Sequence, residues 1–350
     1  MKTRYFILFI IFTALLYIAL FPHQLDPEFT ISPAWNISLH STPRMNEEAG
    51  HPFVADDLYG NSLVGYYSIN GDFLYRSPVY YGAAAGSEGF INYSRAGGEL
   101  LIQDPEGEFV QRIDAPGYPV FFDKQLYVIT GDRKGISRWT MDGEKVWNYH
   151  FGSMITSMNV QERGGVLGFL NGEVQFFNHQ GKMQDFTKQK LDAVYGCALA
   201  PTQDFFAVVT GLNPQILSVY SYKDDTVQFI WSRELSESLP RYRYLEFSDD
   251  SRELFWVTPQ GVQSVDWMGE NLKEYPLDYP FTNGIFSIQN QLSFLFGADD
   301  ENSVLQIFES NGVFNLKIPV NARVGLVERV ENRFIFDRSG QLFAVDLLGE

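Results

Sequence analysis

Two groups of side chains in this 350-residue sequence are of types that recognise other molecules. Arg241-Tyr242-Arg243-Tyr244 follows Pro240 and leads into the apolar run that begins at Leu245. Arginine and tyrosine dominate recognition hot spots because each joins a large flat contact surface to hydrogen-bond donors. Tyr80-Tyr81 and Tyr118 enter other segments at comparable positions, with the same aromatic character. A ring of such residues is suited to binding peptides or sugars.

Residue patterns for catalysis or metal binding point the other way. The five histidines, His23, His40, His51, His150 and His179, form no His-Glu-x-x-His and no Cys/His metal spacing. There is no Gly-x-Ser-x-Gly nucleophile elbow and no glycine-rich phosphate loop. Cys197 is the single cysteine, in the apolar stretch Tyr195 to Ala200, so no internal disulfide is possible. A thiolate needs basic neighbours, and this stretch has none, so an inert thiol is expected. Asp249-Asp250 and Asp299-Asp300-Glu301-Asn302 carry Ca²⁺-ligand types, but they fall between apolar runs and read as Asx turns. No metal and no cofactor is expected. The formal charge of −17 repels phosphate backbones, which argues against a nucleic-acid partner. The same acidity keeps an aromatic-rich chain soluble.

The elements that must position these residues announce themselves by rhythm. Two-residue turn signals recur at Asn70-Gly71, Glu106-Gly107, Asp142-Gly143, Gln180-Gly181, Asp224-Asp225, Met268-Gly269, Asn311-Gly312 and Leu348-Gly349. Between them lie short apolar runs, such as Gln125 to Thr130 and Glu253 to Thr258, bounded by Gly, Asp or Asn as strands are. A period of roughly 40 residues with four strands per unit predicts an all-β fold, a β-propeller. Seven intervals predict seven blades, with eight as the alternative because Ser62 to Ile69 is long enough for another strand. The strand from Asp72 to Val79 is expected to close the ring beside Gln341 to Leu347, since an open ring leaves exposed sheet edges. The polar stretch Ser232 to Ser238 is the best candidate for a helical turn.

Trp139-Thr-Met-Asp142-Gly143-Glu-Lys-Val-Trp147 resembles the blade motif of PQQ-like propellers, in which a Trp after the turn glycine docks between blades. Phe247 to Trp256 and Ala200 to Val208 look like the turn-then-strand pattern of WD-repeat-like propellers. The resemblance implies the fold over residues 61–350 and carries over no binding residue. It implies that the docking Trp is replaced elsewhere by Gln111, Phe229, Lys273 or Leu316.

At the N-terminus, Lys2 and Arg4 precede seventeen largely apolar residues, 5–21. That is the lower edge of the roughly 17–25 residues a spanning helix needs. The run ends in Leu20-Phe21-Pro22, bulky where a signal peptidase wants small residues, so residues 1–24 read as an uncleaved transmembrane signal-anchor. Secretion after cleavage is the alternative. The basic start places the N-terminus inside and the body outside the cytoplasm, periplasmic or at the cell surface. Residues 25–60 read as an extended tether and 61–350 as the propeller.

Two functions follow as expectations. One is a non-enzymatic protein-binding scaffold, membrane-anchored and serving envelope assembly. The other is a hydrolase or lyase on polysaccharides or peptides, which would need paired carboxylates at the channel mouth.

Overall fold

The structure, a computed structural model, describes residues 29–43, 50–56, 61–93, 99–122, 124–185, 192–223, 226–237, 239, 242–287, 292–299, 301–309, 312–320, 325–330, 333–338 and 340–349. Among these residues every regular element is a strand, and the strands form eight antiparallel sheets. The fold is an eight-bladed β-propeller, one blade more than the seven expected. Blade 1 has three described strands, His51–Asp56, Ser62–Tyr67 and Phe73–Pro78. Blades 2 to 8 have four each among the described residues, the last completed by the first described strand.

The eight-blade alternative holds: Ser62–Tyr67 is the further strand it rested on, and two more strands come from the segment read as a tether. Phe29–Ser38 pairs antiparallel with Gln341–Gly349, from Phe29 opposite Gly349 to Ser38 opposite Gln341. His51–Asp56 pairs with Ser62–Tyr67. The ring is therefore closed by Phe29–Ser38, while Phe73–Pro78, expected to close it, is the last strand of blade 1. Two features hide these strands in the sequence. Pro33 sits inside the closing strand, tolerated because that strand lies at the edge of its sheet and its register shifts between Pro33 and Trp35. Leu348-Gly349, read as an eighth turn, lies within the paired strand, because the ring is stitched there.

Eight apolar clusters fill the spaces between neighbouring blades, one per interface. Between blades 5 and 6, Val209, Leu217, Leu254 and the fully buried Trp256 share one cluster. At the closure, Leu342 and Ala344 of blade 8 meet Phe53 and Tyr67 of blade 1. Burying each such side chain is worth about 1.5–3 kcal/mol, and the ring distributes that gain around its whole circumference.

The turn glycines are where blades lock together. Trp35, Trp147 and Trp231, each on the outer strand of one blade, pack against Gly71, Gly181 and Gly269 in the turn of the next. A Cβ at Gly269 would lie 2.7 Å from Trp231, and its φ of +82° is left-handed, so only glycine suits the position. Tyr75, Gln111 and Lys273 occupy the same place against Gly107, Gly143 and Gly312. In blade 5 the docking residue is Trp231 and not Phe229. A bulge between Val219 and Tyr220 resets the outer strand, and Phe229 is left 59% exposed.

The polar stretch from Ser232 is not helical. The outer strand of blade 5, Thr226–Glu234, runs through it. Among the described residues no helix is long and apolar enough to cross a membrane. Residues 5–21, where the span is expected, lie outside the described residues.

Candidate functional site

Strand direction alternates within a blade, so connections from the outer strand of one blade to the first strand of the next share one face of the ring. Both groups of recognition residues lie on that face. Tyr80 and Tyr81 stand between blades 1 and 2, and Tyr242 to Tyr244 between blades 5 and 6. The structure therefore places them on one surface at separate blades and does not merge them into one site. Arg241 lies outside the described residues.

The connection between blades 5 and 6 is built around Arg243. The residue is 1% exposed, and each of its three guanidinium nitrogens has a hydrogen-bond partner. Nε donates to Gln215 Oε1 at 3.0 Å, Nη1 to the Val257 carbonyl at 2.8 Å, and Nη2 to the Glu237 carbonyl at 2.6 Å. Gln215 also grips the Leu239 amide and carbonyl. Burial holds the Arg243 pKa down to about 10, against the favourable charge of Glu237, so it stays protonated at neutral pH. A buried charge persists only when its donors are satisfied, as here. Arg243 is thus a structural pin beneath the surface, while Tyr242 beside it is 51% exposed.

First strands of blades 4, 5 and 6 bring a polar group together below Tyr242. The Ser157 hydroxyl and Cys197 thiol are hydrogen-bonded at 3.0 Å. Burial pushes the thiol up to about 12, which leaves it protonated and unreactive at neutral pH. The Tyr242 phenol is also raised to about 12 by burial and by its nearness to Cys197, with a hydrogen bond to Ser157 opposing. On the same side of the chain as Tyr242, the Tyr244 hydroxyl donates to the Glu246 carboxyl. Burial raises Glu246 to about 7 against that hydrogen bond, with the charge of Asp249 adding to the rise. A carboxyl that titrates near neutrality can give or take a proton, but this one is engaged by a phenol and buried.

The most accessible aromatic group lies at blades 1 to 3. Tyr80 is 78% exposed, Tyr81 51% and Tyr118 38%. Tyr93, at the end of the second strand of blade 2, lies among them, its ring meeting Tyr81 edge-on at 6.2 Å. Burial raises the Tyr93 pKa, and the neighbouring phenols of Tyr81 and Tyr118 raise it further. Asn92 fixes the connection by accepting from the Tyr80 amide at 3.2 Å and donating to the Pro78 carbonyl at 2.5 Å. Sequence reading missed Tyr93. Its place at the end of a strand, before a connection on the same face, was the available signal.

Among the described residues, no cluster of three or more His, Cys, Asp or Glu side chains could hold a metal. Asp250 and Asp299 serve their own turns. Asp250 accepts from the Arg252 amide at 3.0 Å, and Asp299 from the amides of Glu301 and Asn302 at 2.8 and 2.6 Å.

Comparison with known proteins bears on the whole architecture. A family model described as beta-propeller protein matches residues 1–347. An uncharacterized protein of Treponema pallidum (strain Nichols) is 22% identical over 282 residues, covering 76% of this chain and 73% of that one. The crystal structure of BamB from Moraxella catarrhalis superposes with a TM-score of 0.60 at 13% identity, over 91% of this chain and all of that one. The Dos1 propeller gives 0.59 at 12% identity, over 90% and 95%. At these identities the likeness is one of fold.

Proposed function

We propose, on the premise that this chain belongs to the β-propeller protein family, that it is a non-enzymatic scaffold holding a protein partner on the face of the blade-to-blade connections. The observation that carries this reading is the gathering of Tyr81, Tyr93 and Tyr118 beside the exposed Tyr80. Tyrosines on a rigid frame offer large contact area while only two torsions per side chain are frozen on binding. The basic start and the apolar residues 5–21 support an anchored propeller outside the cytoplasm, in the service of envelope assembly.

Photocrosslinking in whole cells tests the reading. A crosslinking residue at position 80 is expected to capture one protein, and the adduct is expected to vanish when Tyr81→Ala and Tyr118→Ala are combined. An adduct of undiminished yield in the double variant would remove the tyrosine patch from the interface. A periplasmic reporter fused after residue 350 checks the orientation, and an inactive reporter there contradicts it.

A further inference from the structure

On the opposite face, turns within blades 5 and 6 enclose a groove of about 510 Å³ lined by Thr202, Gln203, Phe205, Asp250, Arg252 and Trp267, with Ser251 at its base. Phe205 and Trp267 stack with ring centroids 5.1 Å apart and planes 10° from parallel. Trp267 is nonetheless 37% exposed, so part of its indole remains an open apolar platform. The polar wall is held in advance of any ligand. The Thr202 amide and hydroxyl both donate to Ser251 Oγ at 2.9 Å, and Ser251, though buried, has a left-handed φ of 61°. Such a conformation costs about 1–3 kcal/mol and is kept only where its surroundings impose it. The Trp267 amide donates to the Arg252 carbonyl at 2.9 Å, which fixes the backbones of the two residues side by side.

The side chains that face the groove are underused. The Arg252 side chain is 80% exposed and reaches Asp250 only through Nε, at 3.4 Å. Its Nη groups and the exposed Gln203 carboxamide have no partner among the described residues. This set contains a cation, an anion and an amide within one small space. An anionic ligand would meet Asp250 and a cationic one Arg252, whereas neighbouring hydroxyls donate and accept at once and satisfy both. A pyranose ring also offers a face of C–H groups that suits an aromatic platform.

We propose that this groove binds neutral saccharide units, with the sugar's C–H face on Trp267 and its hydroxyls shared by Arg252, Gln203 and Asp250. The site is separate from the tyrosine patch, so either can fail alone. The test uses the full chain in detergent and immobilised neutral trisaccharides built from glucose, galactose, mannose or N-acetylglucosamine, followed by solution titration of those bound. At least one is expected to bind, with affinity falling at least about tenfold in Arg252→Ala and in Gln203→Ala, both exposed at the groove. Trp267→Ala should abolish binding, and the Tyr81→Ala, Tyr118→Ala double variant should leave it unchanged. The proposal is overturned if no neutral trisaccharide binds, if Arg252→Ala binds as the wild type does, or if only acidic peptides compete for the groove.

Discussion

Arg333 and Asp346 face each other across neighbouring strands of blade 8 in a two-pronged ion pair of 2.6 and 2.8 Å. The remaining guanidinium nitrogen donates to the Ile69 carbonyl of blade 1 at 2.6 Å. The Trp35 indole donates to that same carbonyl at 2.9 Å. One backbone oxygen of blade 1 is thus held by two residues of blade 8, and the seam of the ring is fastened there. Arg333→Ala is expected to cost about 1–3 kcal/mol, the range for hydrogen bonds to charged groups with a partner left unpaired. Urea denaturation measures it. The hydrogen bonds from Arg333 hold the Asp346 carboxyl below its ordinary value. A depressed carboxylate adds stability that is complete above the ordinary aspartate range and is lost as pH falls through it. The acid sensitivity of the wild type should therefore be smaller in Arg333→Ala.

Trp231 and Gly269 provide a second measurement of how blades lock. Gly269→Ala forces a left-handed alanine and drives its Cβ into the indole. A loss of about 2–4 kcal/mol is expected from strain and overpacking together. Combining it with Trp231→Ala should cost less than the sum of the single changes, because the clash disappears with the ring. Strict additivity would show that the two residues do not act on each other.

Arg243→Ala is expected to destabilise by about 2–4 kcal/mol, since it leaves the Val257 and Glu237 carbonyls without this donor beneath the connection. Limited proteolysis should then cut between Leu235 and Tyr244 before the rest of the chain. If cleavage in that connection is no faster than in the wild type, Arg243 does not hold it.

Glu246 gives a pH dependence of the opposite sign to Asp346. Its folded pKa is raised from 4.5 to about 7, so the fold retains a proton that the unfolded chain has lost. Stability is complete below the ordinary value and declines as pH rises towards 7, by up to about 1.4 kcal/mol per pH unit, then levels off. Glu246→Gln keeps a neutral side chain beside Tyr244 and should flatten the curve between pH 5 and pH 7. A slope unchanged in that variant would assign the titration to another group.

Much of this architecture was legible because the turns that lock blades demand glycine at positive φ, and Gly71, Gly107, Gly143, Gly181, Gly269 and Gly312 all have it. The closing strand was not legible. Pro33 breaks its alternation, and its partner lies at the far end of the chain, where no local pattern points. Arg243 and Tyr242 are neighbours of similar promise in sequence, yet one is a buried pin and the other a surface ring. What separates them is Gln215, which waits 28 residues upstream in another strand. Tyr80, Tyr81 and Tyr118 were identifiable as exposed aromatics ahead of inner strands, whereas Tyr93 required knowing which strand ends converge.

Because Phe29–Ser38 pairs with Gln341–Gly349, the ring cannot be sealed before residues 341–349 have been made. Until then Phe29–Ser38 waits unpaired, with its backbone donors open to any passing sheet edge. Long-range pairing of this kind is slow and prone to aggregation. Synthesis of residues 341–349 therefore sets the earliest moment of closure.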